Sequence, residues 1–167
     1  MSDQSTDQGG GAEAAGGQGG QLRLERLYLK DASFESPRSP VVFGESWKPE
    51  FSLDINTRTN RLGEERFEVV LSATLKATGE GDKTSYIIEV QQAGVFLVSN
   101  LPQERIQQVL GTLCPATLFP YLRETVDSLA VKGGFPAVHL APVNFESLYA
   151  EAVRQQQTQA QGDAPQH

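Results

Sequence analysis

Between Gln21 and Gln92 apolar and polar positions alternate with a period of two, and beyond Pro102 the spacing lengthens to that of helices. Phe51, Leu53, Ile55 and Thr57 alternate with Ser52, Asp54 and Asn56. Phe67, Val69, Leu71, Ala73, Leu75 and Ala77 alternate with Glu68, Ser72, Thr74 and Lys76. Successive side chains of a strand point to opposite faces, so each run predicts a strand with one face buried. Gly79 and Gly81, with acidic neighbours, predict a hairpin turn into a further strand from Thr84 to Gln92. Tyr86, Ile88 and Val90 form one face of that strand, and Ile87, Glu89 and Gln91 the other. From Gln21 to Phe34 the apolar positions Leu22, Leu24, Leu27, Leu29 and Phe34 slip a phase after Leu24, which predicts a strand with a bulge or bend near Arg26. Glu35 to Pro49 holds Pro37, Pro40 and Pro49 besides Phe43 and Trp47. Proline cannot donate to a sheet ladder, so this segment reads as a long connection bearing large apolar side chains.

Ile106, Val109, Leu110 and Leu113 recur at helical spacing, and Pro115 is expected to end that short helix. Leu118, Leu122, Val126 and Leu129 predict a main helix, with Pro120 acceptable only in its first turn and Gly133 with Gly134 as a left-handed stop. Asn144 is placed to cap a last helix with the stripe Phe145, Leu148, Tyr149, Ala152 and Val153. Strands first and helices second predict an α+β fold: a four-stranded antiparallel sheet with helices packed on one face. Residues 21–155 form the expected domain. Residues 1–20, rich in Gly and Gln with no large hydrophobe after Met1, are expected to be a disordered leader, since ordering them buries nothing to offset the entropy. Residues 156–167, Gln-rich with a late Gly and Pro, are expected to be a flexible tail.

Charge and composition narrow the chemistry. A formal net charge of −7 argues against nucleic acid, whose binding draws on a positive field and counterion release. The single cysteine, Cys114, excludes an internal disulfide and a Cys/His zinc cluster. No basic region followed by an apolar run opens the chain, and no segment approaches the ~20 apolar residues that span a bilayer. The expectation is a cytoplasmic protein with no direct membrane insertion. The segment GEGDKTS, Gly79 to Ser85, has a superficial likeness to a phosphate-binding loop. Asp82 stands where a glycine is needed, Glu80 and Asp82 repel phosphate, and the segment links two strands. His139 and His167 are the only histidines, too few for a metal triad or a Ser-His-Asp relay. His139 between Val138 and Leu140 reads as a partly buried histidine, and Cys114 as a packed thiol. No catalytic residue, metal site or cofactor is expected, and the chain reads as a binding protein.

Two groups of residues carry the binding chemistry. Phe34, Phe43, Trp47 and Phe51 lie on or beside the Pro-rich connection, where they can line a groove for an extended apolar peptide or, alternatively, complete the core over a sheet edge. Asp31, Glu35 and Glu89 set acids beside apolar neighbours on predicted strands, a docking face for a basic partner or an ordinary solvated face.

LYLKDASFE (Leu27 to Glu35), VFGESWKPE (Val42 to Glu50), EVQQAGVF (Glu89 to Phe96), CPATLFPYLRE (Cys114 to Glu124) and FPAVHLAPVNFESLY (Phe135 to Tyr149) resemble the SecB family of bacterial protein-export chaperones, in the same order from about Leu22 to Gln155. The Gly-rich leader lies outside the family's pattern. The resemblance implies an ATP-independent holdase that keeps precursor proteins unfolded and passes them to the motor SecA. It implies a homotetramer built as a dimer of dimers. It places the docking of the motor's basic, zinc-containing C-terminal tail on Asp31, Glu35, Ile87 and Glu89, with the zinc held by the partner. It places subunit contacts on Ile88, Val90 and Gln92, with the main helix, through Leu122 and Val126, packed between dimers. The peptide groove it implies is lined by Phe34, Phe43, Trp47 and Phe51. Other readings of the same groove are a SecB-like chaperone dedicated to one client such as an antitoxin, or a small-molecule or lipid carrier.

Overall fold

The computed structural model describes residues 19–162. Residues 1–18 of the expected leader and 163–167 of the expected tail lie outside the described residues. Four strands, β1 (Gln21–Glu35), β2 (Glu50–Arg61), β3 (Arg66–Thr78) and β4 (Thr84–Ser99), form one antiparallel sheet in the order β1-β4-β3-β2. The β3–β4 turn is closed by the Gly79 N–H donating to the Lys83 carbonyl at 2.8 Å, with Gly81 at φ +68° where a side chain would strain the backbone.

β1 slips register twice, between Leu24 and Arg26 and again between Leu29 and Asp31. The first is the bulge expected near Arg26; the second accounts for the odd, five-residue step from Leu29 to Phe34, which one bulge leaves unexplained. β4 runs past Gln92 to Ser99 through Gly94, where a β-carbon would press to 3.0 Å on the Leu24 side chain and 3.1 Å on the Arg26 carbonyl. Glycine there lets the bulged edge strand lie close to its neighbour.

Three helices follow: α1 (Gln103–Gly111), α2 (Leu113–Lys132) and α3 (Phe145–Gly162). The break between α1 and α2 falls at Thr112 (φ −125°, ψ −70°), whose hydroxyl donates to the Gln108 carbonyl at 2.7 Å. Pro115 therefore does not end a helix. It sits in the first turn of α2, where no partner exists for an N–H anyway. Pro120 lies inside α2, not in the expected first turn, and the Ala116 carbonyl it leaves without an N–H belongs to an exposed turn open to water. Asn144 caps α3, its Oδ1 accepting from the Ser147 N–H at 3.0 Å. The helix continues through the region expected as a tail from 156 as far as Gly162.

α2 packs on β4 and β3. Leu118, Leu122 and Val126 meet Leu71, Leu75, Ile88, Val90 and Phe96 in a core that is almost wholly sealed. β2 lies beyond this helix, so its apolar face, expected to be buried, leaves Phe51 48% and Leu53 38% exposed. The five residues expected at subunit contacts are also corrected. Ile88, Val90, Gln92, Leu122 and Val126 are buried to 4% exposure or less within this one chain, and Gln92 Nε2 donates to the Tyr28 carbonyl at 2.9 Å. Side chains already enclosed by their own chain have no surface left for a second one. The alternation of β4 was legible, but the face toward α2 is the one carrying these residues.

Candidate functional site

The two faces of the sheet have opposite chemistry. On the face turned from α2, cross-strand pairing aligns the polar positions in rows. Glu35 pairs with Ile87 and Ile87 with Lys76; Ser33 pairs with Glu89, Glu89 with Thr74 and Thr74 with Asp54; Asp31 pairs with Gln91. The two register shifts in β1 place Asp31, Ser33 and Glu35 on this face while Phe34 turns to the core side. Asp31, Glu35 and Glu89 are exposed, Ile87 is half-buried between them, and the Ser33 hydroxyl lies 3.5 Å from Glu89 Oε2. The structure thus brings all four docking residues named from the sequence into one patch. None of the three carboxylates has an ion-pair partner among the described residues. Asp54 belongs to the same patch and was missed, because strand alternation gives the face of a residue but not which strand neighbours which.

Farther along the same face the charge reverses. Glu68, 8% exposed, accepts hydrogen bonds from Lys30 Nζ (2.6 Å), Tyr28 Oη (2.5 Å) and Asn60 Nδ2 (2.7 Å), linking β1, β3 and β2 across β4. Those donors, Lys30 foremost, hold its carboxyl at about 2, well below the usual carboxylate range. Burial, with the facing carboxylate second, pushes the Tyr28 hydroxyl up to about 12. Glu25 bridges Arg66 (2.8 Å) and Arg23 (2.9 Å) at the strand ends.

On the helix side an aromatic cluster fills the end of the sheet. Phe135 is its hub, with ring centroids 5.3 Å from Phe43, 5.1 Å from Trp47, 4.8 Å from Tyr86 and 6.3 Å from Phe34. Trp47 also stacks on Tyr86 at 6.1 Å. Phe43 (51%) and Trp47 (37%) keep much of their surface open, whereas Phe135 (6%) and Tyr86 (0%) are enclosed. The rings of the connection complete the core on one side and present apolar surface on the other. Of the four groove residues named from sequence, Phe34, Phe43 and Trp47 meet in this cluster. Phe51 stands apart, on the same side of the sheet with Ala77 between it and Tyr86 in register. Phe135 and Tyr86 were not singled out, though Phe135 opens the FPAVHLAP segment whose many apolar residues were the available signal.

Backbone details hold the cluster. The Gly133 Cα lies against the Phe34 ring with no room for a β-carbon, and Gly134, at φ +87°, turns the chain beneath Phe43. The expected left-handed stop is thus Gly134 alone, since Gly133 is right-handed with φ −77°. Asp127 Oδ1 accepts from the backbone N–H groups of Val138 and His139 at 2.9 Å each, and Oδ2 lies 3.3 Å from His139 Nδ1. His139, expected to be partly buried, is exposed with φ +54°. Arg38 and Glu45 pair within the connection. The Tyr86 hydroxyl is buried without a hydrogen-bond partner among the described residues, and that burial pushes it up to about 12. Burial likewise raises the Cys114 thiol to about 12, as its apolar setting suggested. Among the described residues no group of three His, Cys, Asp or Glu could hold a metal ion, and no helix is long and apolar enough to cross a membrane.

The chain is similar to proteins of one family. A family described as "Preprotein translocase subunit SecB" matches residues 15–156. The "Protein-export protein SecB" of Hahella chejuensis is 54% identical over 136 residues, covering 81% of this chain and 85% of its own. That of Marinobacter nauticus is 50% identical over 144 residues, covering 86% and 87%, and that of Pseudomonas aeruginosa 47% over 152 residues, covering 91% and 92%. Among solved structures, the Mycobacterium tuberculosis Rv1957 SecB-like chaperone in complex with a ChAD peptide from the HigA1 antitoxin superposes with a TM-score of 0.62 at 17% identity, covering 74% of this chain and 91% of that one.

Proposed function

The chain belongs to the SecB family of preprotein translocase subunits, and on that premise we propose that it is an ATP-independent export chaperone of the cytoplasm. It binds unfolded precursor proteins at the aromatic surface, keeps them competent for translocation and delivers them to the SecA motor at the acidic patch. It is not an enzyme: recognition, not bond chemistry, is its task. The observation that carries this reading is the placement of two unlike surfaces on opposite faces of one sheet. Half-open rings of Phe43 and Trp47 lie on the helix side, and Asp31, Glu35 and Glu89 lie on the other. A client and a motor tail can then be held at once without competing for the same side chains.

Client binding follows from weak, repeated burial. One buried aromatic or aliphatic side chain contributes about 1.5–3 kcal/mol, too little alone for useful affinity. Several such surfaces in a homotetramer, engaging one long chain, raise affinity through effective concentration. A folded protein offers no extended apolar segment, so fast folders escape. Phe34, Phe43, Trp47 and Phe51 carry the contacts, with Phe135 as the enclosed hub beneath them. Assembly as a dimer of dimers draws on apolar groups that α2 leaves exposed, Leu113, Tyr121 and Val131, in place of the enclosed residues first assigned.

The cationic, zinc-containing tail of SecA docks on Asp31, Glu35, Ile87 and Glu89, with zinc carried by the motor. Calorimetric titration of that zinc-loaded tail peptide into the protein tests the reading. Binding that weakens between low and physiological salt and is lost in Asp31→Ala with Glu89→Ala supports it, since exposed charges are screened over about 8 Å at physiological ionic strength. No binding by the wild type sinks the export role. Unfolded-client binding unchanged by Phe43→Ala with Trp47→Ala sinks the groove.

A further inference from the structure

The face that carries the acidic patch is electrically divided along its strands. Beyond the row of Asp31 the aligned positions hold Arg58, then Arg26, then Arg23 paired through Leu97 with Arg66. Glu25 neutralises part of Arg23 and Arg66, and Glu68 is matched by Lys30. Arg26 and Arg58 are exposed and have no carboxylate within ion-pair distance among the described residues. Glu64 and Glu65, in the turn joining β2 to β3, stand at the rim of this basic end. A cationic partner approaching the acidic patch thus meets a repelling half on the same face.

β1 begins at that basic end, where Gln21 pairs with Ser99. The eighteen residues preceding the described part contain Asp3, Asp7 and Glu13 and no lysine or arginine. We propose that this acidic leader docks on the basic end of its own sheet face, so that the face turned to a cationic partner carries one sign. Reach is sufficient: the row of Arg58 lies about 20 Å along the strands from Gln21, and a chain spans up to about 3.3–3.6 Å per residue. Tethering beside the site supplies a high effective concentration for contacts that would be weak between separate molecules. The leader's own charge keeps it off Asp31, Glu35 and Glu89. The shielding consequence rests on the reading that the SecA tail docks at those acids; the leader contact itself does not.

The experiment places a nitroxide on Ser5→Cys in the full chain, Cys114 being buried and slow to react, and reads paramagnetic broadening of methyl groups on this face. Val95 and Leu97 report the basic end and Ile87 the acidic end. The comparison chain carries Asp3→Asn, Asp7→Asn and Glu13→Gln with the same label, which sets the broadening due to tethering alone. The expected result is at least twofold greater broadening of Val95 and Leu97 with the acidic leader at low salt, erased at high salt, with Ile87 spared. Equal broadening in the two chains, or broadening centred on Ile87, overturns the contact. Zinc-loaded SecA-tail peptide is expected to bind the neutral-leader chain several-fold more weakly at low salt, and equal affinity overturns the shielding. Should the peptide bind neither chain, the docking reading of the acidic patch has failed, and the methyl data alone decide the leader contact.

Discussion

Gly133 packs against the ring of Phe34 with no room between them for a β-carbon. The contact joins the C-terminal cap of α2 to the last residues of strand β1, and through Phe34 to Tyr86 and Phe135, whose centroids lie 5.8 and 6.3 Å away. Inserting a methyl group into such a site costs about 1–3 kcal/mol. Gly133→Ala is therefore expected to lower stability by that amount and to weaken client binding, because Phe34 must leave its place. Adding Phe34→Ala should relieve the clash. Urea denaturation of the single and double variants checks this, and strictly additive losses would show that the two residues do not collide.

Glu68 predicts a definite acid response. Its carboxyl is held at about 2 by Lys30, Tyr28 and Asn60. A carboxylate depressed in the folded state stabilises the fold above its ordinary range and loses that contribution as pH falls through the folded value. The fold should thus weaken between about pH 5 and pH 2. Glu68→Gln should flatten this limb and cost about 1–3 kcal/mol near neutral pH, where Lys30 loses its partner. Thermal melting of both proteins from pH 7 to pH 2 measures it, and parallel curves would refute the assignment.

Strand alternation made most of this fold legible, because burial on one face is recorded directly at every second residue. Asp31, Glu35 and Glu89 stood out as acids beside apolar neighbours, but joining them with Ile87 into one docking patch took the resemblance, since nothing local says that β1 lies beside β4 and not beside β2. The phase of β4 was likewise plain, with Ile88 and Val90 opposite Ile87 and Glu89. Which phase meets α2 is a tertiary fact, and there the subunit contacts were misassigned. Pro115 misled for a different reason: proline signals the end of a helix and also its beginning, and Thr112 supplies the true break. The second bulge of β1 was legible as well: the odd, five-residue step from Leu29 to Phe34 keeps both on the core face only if one residue between them, Lys30, is extra, and a single bulge near Arg26 leaves that step unexplained.

Asp127 anchors the segment that carries Phe135. Its carboxylate satisfies two backbone N–H groups at 2.9 Å, just beyond the aromatic hub. Asp127→Ala should cost about 1–3 kcal/mol by orphaning donors and should loosen Phe135 against Trp47, 5.1 Å away. Trp47 is the only tryptophan in the chain, so its fluorescence reports the change without added labels. A red-shifted and more quenchable emission is expected. Emission identical to the wild type would mean that the hub is held by packing alone.

The corrected view of α2 separates folding from assembly on adjacent residues. Leu122 is fully enclosed, whereas Tyr121 is 48% and Val131 58% exposed. Truncating a buried leucine removes transfer energy and leaves a cavity, so Leu122→Ala should cost about 2–5 kcal/mol of folding stability. Its effect on association should follow only from that loss. Tyr121→Glu with Val131→Glu should do the reverse, since surface substitutions leave a fold nearly unchanged, while a charge buried at an apolar contact is costly. Sedimentation velocity with parallel denaturation curves distinguishes them. Smaller species from the glutamate pair with a wild-type melting curve would place the dimer–dimer contact on the outer face of α2. An intact assembly in that variant would move the contact to another surface.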